Sequence, residues 1–192
     1  MSEDKNVILE EQEENSPKKM IKEILAWILT LALAVVAAQL INKFVIIKAE
    51  VPTGSMENTI LPDDCILGIQ LAYLFSNPER GDIVIFPYPD APEVTYVKRI
   101  IGLPGETVEI KEGSVYINGE AIEEAYLKEE MYGTFGPYIV PEDCYFMLGD
   151  NRNTSQDSRR WVNTYLKKED IMAKVVCRYS PDFQWFSDVD YE

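Results

Sequence analysis

Ser55 lies in the stretch Pro52-Thr53-Gly54-Ser55-Met56, where turn-forming residues gather a hydroxyl and several backbone N–H groups around one point. A serine nucleophile needs a base to take its proton and donors to hold the oxyanion that develops on the attacked carbonyl. The usual base is histidine, and this 192-residue chain has none. Its absence removes the Ser-His-Asp triad, the Cys-His dyad and most zinc sites. It leaves a lysine as the side-chain base with precedent beside serine. A serine in a Gly/Pro turn is otherwise an ordinary turn residue, so the chemical reading depends on what else the chain supplies.

The elements that must position this turn follow a membrane-type segment. Lys18, Lys19 and Lys22 precede Ile24 to Asn42, nineteen residues without a charge. That length suits a transmembrane helix of about 20 residues, and Trp27 near its lysine end suits the interface. The lysines ahead of the span predict an N-terminus in the cytoplasm. Two alternatives compete with a retained anchor. A buried core helix would show a polar face, which this stretch lacks. A cleaved signal peptide finds small-residue spacing at Val36-Ala37-Ala38, but that site lies inside a span long for such a peptide. The retained anchor is the reading adopted.

Beyond residue 43 the signals are those of strands, and no long amphipathic helix appears. Phe44 to Val51, Cys65 to Ile69 and Asp82 to Phe86 are β-rich runs, the last bounded by Gly81 and Pro87. Val94 to Ile101 alternates, with Tyr96, Lys98 and Ile100 on one face and Val97, Arg99 and Ile101 on the other. Glu106 to Ile122 predicts small hairpins turning at Glu112-Gly113 and Asn118-Gly119. Residues 123–137 read as a polar loop, Cys144 to Leu148 and Ala173 to Tyr179 as strands, and Asn163 to Glu169 as a turn of helix. The expected fold is mainly β, antiparallel and partly closed like a barrel, after one N-terminal transmembrane helix. The expected organisation is a disordered acidic tail over 1–17, an anchor with basic flank over 18–43, and an extracytoplasmic catalytic domain over 44–192.

Composition narrows the partners. The net charge of −15 argues against nucleic acid. Residues 1–17 hold six acids and one lysine, which places −5 there and −10 in the rest. The three cysteines, Cys65, Cys144 and Cys177, lack metal-ligand spacing. They read as buried thiols, with one disulfide open if two of them meet in the fold. No metal and no cofactor are expected.

Four stretches now stand together: Pro52-Thr53-Gly54-Ser55-Met56, Gly81 through Phe86, Tyr96 through Glu106, and Gly149 through Arg159. Their order after an N-terminal anchor closely resembles the bacterial type I signal peptidases, in the compact form found in many Gram-positive bacteria. The match runs from about Ala49 to Tyr179. The resemblance implies an all-β body and a membrane-bound Ser-Lys endopeptidase that removes signal peptides from exported preproteins. It implies Ser55 as nucleophile, Lys98 as general base and Ser155 as the hydroxyl that orients that lysine. It places the Thr53 hydroxyl, with the Ser55 N–H, in the oxyanion hole. Val51, Met56, Ile60, Tyr96 and Val97 match positions near the substrate's small side chains. The chain departs from the family at Thr53, where serine is usual, at Asn58, where proline is usual, and near Val162, where a glycine often follows Arg159.

The chemistry explains the residue types. A lysine in water titrates near ~10.4 and is protonated at neutral pH, so it must be buried in apolar surroundings to act as a base. Tyr96 and Ile100 share its predicted face. A carboxylate beside Lys98 would raise its pKa, so Asp150 and Asp157 are expected instead to pair with Arg99 and Arg159 as structural support. Ser55 lies eleven residues past Phe44, at most about 36–40 Å of extended chain at ~3.3–3.6 Å per residue. This reach keeps the nucleophile near the membrane surface. Phe183, Trp185 and Phe186 read equally as a membrane-facing patch or as core. A self-cleaving transcriptional regulator also uses a Ser-Lys dyad, but it carries a DNA-binding domain where this chain has a span and a negative charge. A catalytically dead binding domain is disfavoured because every catalytic residue is present. The expected state is a single-pass, monomeric membrane enzyme whose partners are exported preproteins and the lipid bilayer.

Overall fold

The computed structural model describes residues 17–186 and Tyr191. The chain divides into two compact units, Met1–Lys43 and Phe44–Glu192. The described part of the first is one helix, α1 (Pro17–Phe44), which ends on the first residue of the second unit. Pro17 opens it, where a fixed φ suits the first helical turn and the missing N–H would have no partner. The acidic tail expected over 1–17 lies outside the described residues except for Pro17, which is helical. At ~1.5 Å per residue the helix runs about 42 Å, longer than the ~30 Å hydrocarbon layer of a bilayer. Thr30 donates to the Ala26 carbonyl at 2.9 Å, so this polar side chain inside the span is satisfied within the helix. None of its residues is buried against protein, which sets aside the core-helix alternative.

The second unit is mainly antiparallel β. Its larger sheet takes the order β1 (Ile46–Glu50), β2 (Cys65–Ile69), β11 (Ala173–Ser180), β3 (Ile83–Tyr88), β4 (Ala91–Gly102), β9 (Cys144–Leu148) and β10 (Leu166–Lys167). A short β12 (Gln184–Trp185) pairs with β11 off this path. The smaller sheet runs β7 (Glu120–Ala121), β6 (Ser114–Ile117), β5 (Thr107–Lys111), β8 (Phe135–Ile139). Both sheets keep open edges and do not close into a barrel. The two tight hairpins turn where the sequence places them. Glu112 and Gly113, then Asn118 and Gly119, all take positive φ, the backbone that matches the twist of paired strands.

Several boundaries differ from the sequence reading. α1 continues to Phe44, so β1 begins only at Ile46. β3 passes through Pro87 to Tyr88, because a register shift beside Pro87 accommodates the missing N–H. The end of the supposed loop 123–137 forms β8 against β5. Residues 163–169 supply β10 and the start of a 3₁₀ turn (Lys168–Asp170) in place of an α-helical turn.

β4 is the axis of the domain. It pairs with β3 on one side and β9 on the other, so its central residues are shielded along both edges. Tyr96 and Ile100 join a cluster with Val84, Phe86, Met147 and Trp161. Val97 packs on a second cluster of Val51, Met56, Ile60, Ile66, Ile83 and Ile85. Ile101 enters a third, shared with the small sheet. The alternation read from the sequence is the one that distributes these side chains. The cysteines are all free thiols, so no disulfide forms among them.

Candidate active site

The serine turn is a closed loop. Its ends are tied by Val51 N–H to Asp64 O at 3.0 Å and Asp63 N–H to Val51 O at 2.8 Å. Asp64 is fixed in turn by Arg178 at 2.9 Å and accepts the Leu61 N–H at 2.8 Å. Inside the loop a 3₁₀ helix (Gly54–Met56) lifts Ser55, while Met56 and Ile60, both fully buried, root the loop in the apolar cluster. Thr53 precedes that turn in extended conformation, exposed, with its hydroxyl making no cap bond. The first N–H groups of such a turn have no partner within it. Asn58 takes φ 85°, a backbone closed to proline.

Lys98 comes from the middle of β4, opposite Val84, and is 3% exposed. Its Nζ lies 2.7 Å from Ser55 Oγ and donates to the Val97 carbonyl at 2.9 Å. The Tyr96 ring centroid is 5.0 Å away. No carboxylate is ion-paired with the amine among the described residues. Burial pushes its pKa down to about 8, although the charges of Asp157 and Asp150 pull the other way.

The stretch from Gly149 to Arg159 grips this pair from behind. Asn151 donates its backbone N–H to Ser55 O at 3.1 Å and its side-chain amide to Gly54 O at 3.0 Å. A Cβ at Gly149 would collide with the Ser55 carbonyl and the Ser155 hydroxyl, so only glycine permits this approach. Asp157 accepts the Gly149 N–H at 3.1 Å and is held by Arg159 through two bonds of 2.8 Å. Asp150 receives Arg99 in the same two-pronged manner, at 2.9 and 2.6 Å, and Thr59 at 2.5 Å. Both expected ion pairs therefore form, each almost wholly buried.

Of the residues named from sequence, Ser55, Lys98, Val51, Met56, Ile60 and Val97 converge on one place. Tyr96 sits on the opposite face of β4 from Val97, stacked on Tyr88 with centroids 4.5 Å apart. Ser155 is fully buried beside Gly149, and its Oγ bonds neither Lys98 nor any other described residue. Phe186 packs on the apolar cluster, while Phe183 and Trp185 are exposed. Sequence reasoning missed Thr59, Asn151, Glu124 and Tyr126. Asn151 stood inside a named motif. Glu124 and Tyr126 sat in a stretch read only as polar loop, and nothing local set Glu124 apart from its acidic neighbours.

The model of the family "Signal peptidase, peptidase S26" matches residues 24–180. The chain is 37% identical to signal peptidase I of Leptolyngbya laminosa over 173 residues, covering 86% of this chain and 84% of that protein. It is 38% identical to signal peptidase I S of Bacillus subtilis over 167 residues, covering 81% and 88%. A crystal structure of a signal peptidase I from Enterococcus faecalis shares 36% identity with a TM-score of 0.46, over 52% of this chain and 97% of that one.

Proposed function

The chain belongs to the signal peptidase family of peptidase S26, as a type I signal peptidase, and from that premise we propose that it cuts signal peptides from exported preproteins with a Ser55–Lys98 dyad. The observation that carries this reading is the 2.7 Å approach of Lys98 Nζ to Ser55 Oγ at a site where burial favours the neutral amine. The neutral amine takes the Ser55 proton as Oγ attacks the scissile carbonyl, then returns it to the leaving amine. The acyl-enzyme is hydrolysed when the amine, neutral again, takes a proton from a water that attacks the acyl carbonyl, then gives that proton to Ser55 Oγ as the bond from Oγ to the acyl carbon breaks. Thr53 Oγ1 and the Ser55 N–H hold the oxyanion, and Ser155 orients the amine, its hydroxyl having no competing partner.

Substrate selection follows from the apolar wall. An extended chain laid along this face turns alternate side chains toward the partly exposed Val97 and the tightly packed cluster behind it, in which Val51, Met56 and Ile60 are buried and leave room for small residues only. Tyr96 contributes from behind, by packing against the lysine. Arg99, Asp150, Asp157 and Arg159 support the site without touching substrate. α1 serves as a retained anchor over residues 18–43, with the N-terminus in the cytoplasm and residues 44–192, the catalytic domain, outside it. The test is cleavage of a model preprotein by the purified full chain. Wild type should release a signal peptide ending in a small residue, and Ser55→Ala should release none. Cleavage by Ser55→Ala would overturn the proposal.

A further inference from the structure

We infer that the segment 124–128, through Glu124 and Tyr126, positions the Ser55–Lys98 pair by bracing the backbone of Gly149 and the Arg99–Asp150 ion pair. This rests on the dyad reading above and adds to it two positioning residues that lie outside all four motifs.

The contacts converge from one short segment. Glu124 holds Arg152 with both carboxylate oxygens, to Nη1 at 2.7 Å and to Nη2. The Arg152 side chain has no exposed surface, and its Nε donates to Gly149 O at 3.1 Å. Asp157 takes the N–H of the same glycine, so Gly149 is fixed from both of its backbone polar groups. Gly149 is the residue against which Ser55 O and Ser155 Oγ both pack. A displacement there moves the nucleophile.

Tyr126 extends the brace to β4. Its ring lies over Arg99, with the guanidinium carbon 4.0 Å from the centroid, and its hydroxyl donates to Glu124 at 2.5 Å. Burial and the Glu124 charge raise the phenol pKa, which keeps that hydroxyl a donor. The Tyr126 carbonyl accepts Asn58 Nδ2 at 3.1 Å, and Lys128 meets Glu57 at 2.7 Å, so the segment also touches the serine loop itself. One segment thus contacts all three parts of the site: the serine loop, the β4 strand of the lysine, and the Gly149–Arg159 stretch. The reacting atoms need sub-ångström placement, and a misplacement of ~1 Å can cost about 10²-fold in rate.

The test uses the full chain in lipid vesicles and a model preprotein, with kcat, KM, the pH profile and thermal unfolding measured together. Replacing the buried pair by apolar residues, Glu124→Leu with Arg152→Met, preserves packing where removal of one partner would strand a charge. The expected result is a folded enzyme with kcat lowered about 10–100-fold and KM changed less than about 2-fold. Tyr126→Phe should lower kcat less, and Tyr126→Leu more. The groups facing Lys98 are Ser55, Tyr96, and Asp150 and Asp157 with their partners Arg99 and Arg159. Loss of the ring over Arg99 loosens its hold on Asp150, whose freer charge favours the ammonium, so the acid limb of Tyr126→Leu should move to higher pH. A residue serving only stability would leave both kcat and that limb unchanged in the folded enzyme. Wild-type kcat and pH profile in folded variants would overturn the inference. If the double variant does not fold, the two Tyr126 variants decide alone. Ser55→Ala in the same assay separates the two readings, because its activity would condemn the dyad itself.

Discussion

Lys98 and Arg99 are adjacent on β4, equally buried at 3% exposure, and treated in opposite ways by their surroundings. Lys98 faces Ser55, the Tyr96 ring and an apolar cluster, and burial lowers its pKa to about 8. Burial works against the charge of Arg99 too, but the hydrogen bonds and charge of Asp150 outweigh it and hold its pKa above the ordinary value. The strand's two faces separate them. Among the described residues the first has no ion-paired carboxylate, and burial favours its neutral form. Its neighbour is locked into an ion pair with Asp150, whose charge still acts on the first against the effect of burial. Burial alone does not make a base; burial without a bonded carboxylate does.

The largest expected effect comes from removing the unpaired member. Lys98→Ala and Ser55→Ala should each lower kcat on the order of 10⁴-fold or more, and the double variant should be no worse than either, because the two act as one unit. Lys98→Arg should be equally inactive, since guanidinium stays protonated. In the wild type, activity should climb with pH and level off above about 8, as the amine loses its proton. Substantial activity in folded Lys98→Ala would break the comparison at its centre.

Removing the paired member tests the other half. Arg99→Met leaves Asp150 buried and uncompensated, at a cost of about 3–5 kcal/mol in stability by denaturant unfolding. The freed carboxylate should also raise the Lys98 pKa and shift the activity profile of the surviving folded enzyme to higher pH. An unshifted profile would mean that Arg99 does not shield the lysine.

Thr53→Val keeps the shape of the turn and removes the proposed oxyanion donor. Its kcat should fall about 10²–10³-fold with KM nearly unchanged, while Thr53→Ser stays active. Wild-type kcat in Thr53→Val would show that transition-state binding does not use this hydroxyl.

Burying an amine that must be neutral should also cost stability, with a definite pH dependence. The gap between about 8 in the fold and 10.5 for the ordinary side chain corresponds to about 3 kcal/mol. This penalty is complete below pH 8. Between 8 and 10.5 the unfolded chain binds the extra proton, so stability rises with pH and the penalty disappears. Lys98→Met should therefore unfold later than wild type at pH 7, and the advantage should vanish near pH 10.5. The smallest effect is that of Ser155→Ala, for which kcat should fall about 10-fold with the fold intact, through loss of the bond proposed to form between its unpartnered hydroxyl and the amine during reaction.

Much of the site was legible because its chemistry is written in local stretches. Ser55 stands among turn formers, and the period of two on β4 put Lys98 and Arg99 on different faces. The absence of histidine narrowed the base to lysine. What was not legible had no local signature. Glu124 is one acid in an acid-rich loop, and only the path of that loop over the domain brings it to Arg152. β8 was missed because a polar run and Gly133 precede it and Gly136-Pro137 sit inside it, and the pairing with β5 overrides that weak preference.

By itself, then, the amino-acid sequence determined the N-terminal apolar helix and most of the strands with their two tight hairpins, and it singled out Ser55 and Lys98, the two side chains that the fold brings together. Helical length, β alternation and turn chemistry act over a few residues and need no distant partner. The burial of Lys98 and the pairing of Arg99 are expected from the sequence and realised by the tertiary structure, which alone decided that Gly149 admits the serine loop and that Tyr96 packs away from the apolar cluster of Val51, Met56, Ile60 and Val97. Those outcomes depend on which groups approach across tens of residues, and both the desolvation of a charge and the fit of a backbone are set by everything that surrounds them.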